Sequence, residues 1–264
     1  MSFRRLLVLL CLCLFIPGAG AGCPPLRIAY VDQHFPPYWL GSGEQVPEPP
    51  GASVELLRMF GASAGCPVTL KRVPNARIMA TLADGLVDFA PQSASSAGQP
   101  GIVFPRDKAG QLDLERSVPQ LLVIFVRAAD GPGRAAHPAT YFHEHVLGNV
   151  LGSIYLGRMR NDGLRVDSGA TNITSNFDKL RLHRVDGVAV PLIAAGDMDA
   201  FIAARYGKAF VRLEQPLYAD HIWLAANAQF YAAHPVQVET MWTWLAGPGK
   251  LQFAKLLKKY ANQH

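Results

Sequence analysis

Leu26-Arg-Ile-Ala-Tyr-Val31, running into Asp32-Gln-His-Phe-Pro-Pro-Tyr-Trp39, is the stretch on which the reading of the chain turns. The first six residues read as a buried strand. The loop after them is dense in proline and aromatic rings. Outward from there, a Gly/Pro-rich link reaches Gly51, and a helix is expected over residues 53–64. Ser53 is its plausible N-cap, Leu56, Leu57 and Phe60 share one face, and Gly65 stops it. Val68–Val73 reads as a second strand, residues 75–84 as a second helix ended by Gly85, and residues 88–91 as a third strand. Strand, helix, strand, helix, strand with short links is the pattern of a parallel sheet covered by helices.

The pattern then starts again. Residues 118–126 form a longer aliphatic strand interrupted by Pro119, and residues 128–139 read as a loop. Strands are expected over 146–151, 164–167, 186–190, 210–213 and 221–226, and helices over 153–161, 175–183 and 192–205. Two helices, 231–245 and 250–260, close the chain. The fold class is α/β in two similar halves, although the spacing is too loose to define an internal repeat. Ligands of open parallel sheets lie beyond the carboxyl ends of the strands. That places the 32–39 loop, the 92–96 loop, Gly152-Ser153 and the Pro191 region at one cleft if the halves face each other.

Of 264 residues, 50% are hydrophobic and 17% charged, against about 25% charged in an average domain. Such a chain has ample apolar surface to bury and is not disordered. Its 24 glycines and 20 prolines show no period, which excludes collagen and coiled coil. Arg4 and Arg5, an apolar run over residues 6–16, a Pro17-Gly18 break and Ala19-Gly20-Ala21 make up a cleavable secretory leader over residues 1–21. Its loss lowers the formal charge of +5 by two. Lys250, Lys255, Lys258 and Lys259 cluster only at the end, where they suit a helix C-terminus, so no nucleic-acid partner is expected. Lipid anchoring at Cys23 is disfavoured, because Gly20 stands where a lipobox has a leucine-like residue.

Cleavage removes Cys11 and Cys13 and leaves Cys23 and Cys66 for an oxidising compartment, which suggests one disulfide. Cys23 lies three residues before the first strand and Cys66 two before the second. Neighbouring parallel strands stand about 4.8 Å apart, a spacing that a disulfide spans. Such a bridge would stabilise the first half by about 3 kcal/mol. It sits at the end of the sheet opposite the cleft and is read as structural.

Several segments together carry a resemblance. The opening strand with its Pro-Pro-aromatic loop is one. Pro74-Asn-Ala-Arg77 with Leu82, Gly85 and Asp88, and Leu180 with Arg184-Val-Asp186, are two more. The ending His234-Pro235, Trp242, Leu245, Phe253, Lys259-Tyr260 is the last. With these the chain resembles a divergent branch of the extracellular solute-binding proteins of family 3, the amino-acid type, with the type II periplasmic binding fold. The resemblance implies two lobes joined by two crossing strands: residues 22–117 plus 220–264, and residues 118–219 with the hinge strands. It implies a monomer in the periplasm that closes on a small polar solute, amino-acid-like or a carboxylate. It also implies a membrane permease of the ATP-binding-cassette type as partner, no cofactor and no catalysis. The alternatives are a ligand-sensing accessory protein and, as some relatives are, a dehydratase of cyclohexadienyl acids.

The departures bear on the ligand. Gly98 stands where the family's carboxylate-binding arginine belongs, and after the 186–190 strand comes Pro191, with no carboxylate before Asp197. Both halves of the amino-acid clamp are therefore missing from their usual places. The candidate ligand contacts are residues after strand ends. Arg77 offers a guanidinium for a carboxylate, Tyr38 and Trp39 offer aromatic faces, and Asp32 could pair with an amine or cap a turn. Gln92, Ser93, Ser95 and Ser96 offer donors and acceptors, and Gly152-Ser153 is read as a helix start that favours an anion. His143-Glu144-His145, with His137, lacks a spaced further ligand and is read as a solvated connector rather than a metal site.

Overall fold

In the computed structural model, which describes residues 23–261, Leu26–Val31 forms strand β1, with Leu26, Ile28 and Tyr30 turned into one core. The leader expected over residues 1–21 lies outside the described residues. Strand β2 (Val68–Val73) runs parallel to β1 along its whole length, Leu26 opposite Val68 and Val31 opposite Val73. Strand β3 (Phe89–Ser93) lies parallel on the other side. Helix α1 (Ala52–Ala62) links β1 to β2, and a 3-10 turn with helix α2 (Ile78–Ala83) links β2 to β3. The short β4 (Ile102–Val103) precedes β5 (Val118–Arg127), a ten-residue strand.

In the second half, α3 (Pro138–Tyr141), β6 (Leu147–Val150), α4 (Leu156–Asn161), β7 (Val166–Ala170), α5 (Ile173–Arg181) and β8 (Gly187–Leu192) repeat the alternation. Helix α6 (Asp199–Tyr206), β9 (Phe210–Arg212) and β10 (Tyr218–Asn227) follow. Helices α7 (Ala228–Ala233), α8 (Pro235–Trp244) and α9 (Lys250–Ala261) return to the first half, where α9 packs on α1.

The strand order is β2-β1-β3-β10-β4 in the first half and β7-β6-β8-β5-β9 in the second. The same order occurs twice, a repeat that the sequence spacing does not define. Strands β5 and β10 join the halves: Val118 to Leu122 pair antiparallel with Ile222 to Tyr218. Beyond that stretch β10 continues onto β3 and β4, and β5 onto β8 and β9. The two motif aspartates do matching work. Asp88 Oδ2 accepts from the Arg27 backbone N–H at 2.7 Å, and Asp186 Oδ2 accepts from the Val146 N–H at 2.8 Å. Each carboxylate ties the third strand of its half to the start of the first.

The Cys23–Cys66 disulfide forms where the strand ends predict it, with a Cα separation of 5.1 Å. It spans 43 residues, a loop whose closure is worth about 4 kcal/mol on the chain-entropy account.

Four expectations need correction. Ser53 is not the cap of α1: the helix starts at Ala52, and its first N–H groups donate to carbonyls of the aromatic loop, Ala52 to Pro37 O and Ser53 to Tyr38 O. Gly51 makes this approach, since a Cβ there would lie 2.5 Å from Tyr38 O. No helix starts at Leu192, because pairing of Leu192 with Leu121 carries β8 that far. Helix α4 begins at Leu156, so Gly152-Ser153 stand in the turns ahead of it. The expected 231–245 helix is divided at Pro235, which starts α8.

Candidate functional site

The carboxyl ends of the parallel strands of both halves converge on one cleft. A cavity of about 200 Å³ lies there. Gln33, Tyr38 and Trp39 come to it from the loop after β1, and Gln92 and Ser93 from the end of β3. Gln120 and Ile222 come from the crossing strands, and Asn149, Ser153, Tyr155 and Ile193 from the second half. The lining continues into the first half's core, to Leu57, Phe60, Leu245 and Phe253. Among the described residues, no Asp, Glu, Lys, Arg or His side chain lines it. A more polar groove beside it, reached by Asp32, His34, Asn172 and Ser175, shares Val31, Gln33 and Asn75 with the cavity.

The aromatic loop is folded back on itself: the Phe35 N–H donates to Trp39 O at 2.8 Å and the Trp39 N–H to Phe35 O at 3.1 Å. Its rings cluster, with Phe35 and Tyr38 centroids 5.2 Å apart. Arg72, whose side chain is fully buried, pins the segment that follows. Its guanidinium donates to the carbonyls of Leu40, Gly41 and Gln45 and pairs with Asp32 at 3.2 Å.

Tyr38 then reaches across the cleft. Its hydroxyl donates to Asp197 Oδ2 at 2.5 Å and accepts from the Ile193 N–H at 2.7 Å. Burial pushes the Tyr38 phenol well above its ordinary value; the Asp197 charge and the bond to Asp197 add to this, and the Ile193 N–H opposes it. Further contacts join the halves. Asn75 Nδ2 donates to Leu151 O at 3.4 Å, and Gly152 lies against the backbone of Ala76.

Tyr38→Phe keeps the ring and removes both cross-cleft bonds, one of them to a charged group. Affinity for any molecule enclosed between the halves is expected to fall about 10- to 100-fold, at 0.5–3 kcal/mol per bond, with little change in the unfolding midpoint of the free protein. Calorimetric titration of both proteins reads the difference, and equal affinities would remove Tyr38 from the closing contacts. The pH sign follows from the raised phenol value. The contact between the halves favours the neutral hydroxyl, so its contribution is complete below the ordinary tyrosine value of about 10 and is lost as pH rises beyond it.

Tyr38, Trp39, Gln92, Ser93 and Ser153, expected from the sequence at the cleft, all line the cavity. Ser95 touches the lining through Ser93, Oγ to Oγ at 2.7 Å, and Ser96 through Gln92. Asp32 lies in the outer groove, bonded to the Gly43 N–H and paired with Arg72. Arg77 is exposed, and neither it nor Gly152 lines the cavity or the groove. Ser153 Oγ accepts from Asn149 Nδ2 at 3.2 Å, a bond within the turn rather than a helix-start anion site. His143 and His145 donate to the carbonyls of Gly163 and Tyr141.

Gln33, Asn75, Gln120, Asn149 and Tyr155 escaped the sequence reading. Two of them carried a signal. Gln120 interrupts the aliphatic 118–126 strand and Asn149 the apolar 146–151 strand, and a polar side chain in a buried strand needs a partner. Gln120 Oε1 accepts from the Tyr155 hydroxyl at 2.8 Å. Burial pushes the Tyr155 phenol far up, and the charge of Asp220 adds to that shift.

No family model matches the chain, and no curated protein matches it in sequence. Solved structures do. An amino acid ABC transporter substrate-binding protein from Streptococcus pneumoniae bound to L-arginine superposes with a TM-score of 0.66 at 13% identity, over 89% of this chain and 93% of that one. An ancestral arginine-binding protein bound to arginine gives 0.65 at 16% identity, over 89% and 97%. The GluR0 ligand-binding core from Nostoc punctiforme in complex with L-glutamate gives 0.65 at 17% identity, over 89% and 99%. The chain has the two-lobed type II periplasmic binding fold of these proteins.

Proposed function

We propose that the chain is a solute-binding protein that captures a small polar solute by closing its two lobes over it. In this reading the lobes are residues 22–117 with 220–264 and residues 118–219, hinged on β5 and β10. The observation that carries the reading is the Tyr38 hydroxyl. It leaves the first half beside the cavity and bonds to Ile193 and Asp197 of the second, so that closing the cleft and completing the cavity wall are one event. Hinge closure of this kind is a known switching mode of periplasmic binding proteins. Affinity and closure, rather than bond-making, are the mechanism.

All three neighbours named above hold an amino acid, and one of them is the substrate-binding protein of an amino acid ABC transporter, which supports a permease of the ABC type as the partner of the closed form. The leader read over residues 1–21 and the Cys23–Cys66 bridge support export to the periplasm, with the chain acting there as a monomer.

The test is a thermal-shift and small-angle scattering screen of the exported protein with amino acids, amides, polyamines, small carboxylates and aromatic acids. A ligand at 100 times its dissociation constant adds about 2.7 kcal/mol. For a chain of this size that moves the midpoint by about 5–11 °C and shrinks the radius of gyration. Stabilisation without contraction, or turnover of the stabilising compound, would refute capture by closure.

A further inference from the structure

We propose that the solute held in this cavity is uncharged: a compact molecule with an amide- or hydroxyl-like polar end and an apolar remainder, rather than a zwitterion or a carboxylate. The inference rests on the solute-binding reading and narrows it to one class of polar solute.

Among the described residues, the lining contains no acidic, basic or histidine side chain. A carboxylate brought into it would shed water and meet no guanidinium or ammonium, and an ammonium would meet no carboxylate. Two ionised groups of the surrounding loops are committed elsewhere. Arg72 is spent on Asp32 and three loop carbonyls, and Asp197 on the Tyr38 hydroxyl and the Ala194 N–H. An ion without a partner in a dehydrated site costs more than its remaining contacts return.

The polar equipment of the cavity is neutral and partly unpaired. Gln92 is 3% exposed. Ser96 has one hydroxyl proton to share between Gln92 Oε1 and Ser93 O, both at 2.9 Å. The other end of the Gln92 amide has no partner among the described residues. The Tyr30 hydroxyl, on a residue 1% exposed, also has none, and burial keeps it protonated. Amides and hydroxyls present a donor and an acceptor side by side, and they read groups that do the same. Beyond them the wall is Trp39, Leu57, Phe60, Leu245 and Phe253, which suits an apolar body. A volume of about 200 Å³ confines that body to a small molecule.

The probes are matched neutral and ionised pairs: indole-3-acetamide with indole-3-acetate, nicotinamide with nicotinate, and N-acetyl-L-leucinamide with L-leucine. Trp39 and Trp223 line the cavity, so tryptophan fluorescence reads occupancy and calorimetry confirms it. At least one neutral member is expected to saturate the protein, with its ionised partner weaker by at least about 100-fold. An ionised member that binds as tightly as its neutral partner overturns the inference and leaves the solute-binding reading standing. If neither member of any pair binds, the reading beneath falls and the inference with it. Gln92→Leu adds an independent check. Removing an amide with an unpaired end is expected to leave the unfolding midpoint unchanged or raised, while the best neutral probe weakens about tenfold or more. Unchanged affinity in that variant would overturn recognition through the amide.

Discussion

A Gly152→Val protein is expected to fold with both lobes intact and to fail to close. Gly152 holds φ at +74°, and a Cβ built on it would stand 2.5 Å from Ala76 Cα, 2.6 Å from Ala76 N and 2.7 Å from Ala76 Cβ. Ala76 belongs to the 3-10 turn ahead of α2, in the opposite half. Two of the three obstructing atoms are backbone, so no side-chain rotation relieves the contact. A β-branched residue in the left-handed region adds a local cost of about 1–3 kcal/mol, paid in the open and closed forms alike. The steric term acts only when the halves meet. Affinity for a bound probe is therefore expected to fall by more than about 100-fold, the effect of blocking closure by roughly 3 kcal/mol. The unfolding midpoint of the free protein should drop by only about 2–12 °C, at 2–4 °C per kcal/mol. Scattering with saturating probe should show no contraction. A variant that contracts and binds like the parent would show that the Gly152–Ala76 contact is not part of the closed state.

That close approach illustrates what the sequence could and could not disclose. Gly152 was legible as a residue at the cleft, because it follows a strand end, but its reading as a helix start was not. The start of α4 at Leu156 depends on two turns that only tertiary packing selects. Strands β1 and β2 were legible to the residue, since each is a short β-branched or aliphatic run bounded by loop residues. Strands β4 and β9 run two and three residues and exist only through pairing with β10 and β5, which no local pattern announces. The repeat of strand order was hidden for the same reason, because it is a property of pairing and not of spacing. Within the site, Tyr38, Trp39 and Gln92 are legible because the strand ends are, whereas Gln33 and Asn75, which also follow strand ends, are not told apart from ordinary loop residues. The arginine that the sequence points to is Arg77, four residues beyond β2, and it is exposed. The buried one is Arg72, in phase with Val68 and Leu70 and followed by buried Val73. Strand alternation puts Val68, Leu70 and Arg72 on one face, so the inward position of Arg72 was there to be read.

Arg72 carries the second large effect. Arg72→Met removes three donated bonds, to Gly41 O at 2.6 Å and to Leu40 O and Gln45 O at 3.2 Å, and leaves Asp32 without its cation. It also removes a guanidinium that stands 5.6 Å from the Tyr30 ring centroid. Deleting one member of a fully buried pair costs about 3–5 kcal/mol; here the remaining carboxylate is 27% exposed and can hydrate, so a loss of about 2–4 kcal/mol and a fall in the midpoint of about 4–16 °C are expected. The freed segment is continuous with the loop that carries Tyr38 and Trp39, so probe binding should weaken beyond what lower stability explains. Arg72→Lys retains the charge, but one ammonium cannot reproduce the planar fork that serves three carbonyls, and an intermediate loss is expected. Asp32→Asn separates the two roles open to Asp32. If it is the counter-ion of Arg72, the midpoint falls while probe affinity stays within a few-fold of the parent. Affinity lost at an unchanged midpoint would instead make Asp32 a ligand contact, and would place the solute in the outer groove rather than in the charge-free cavity.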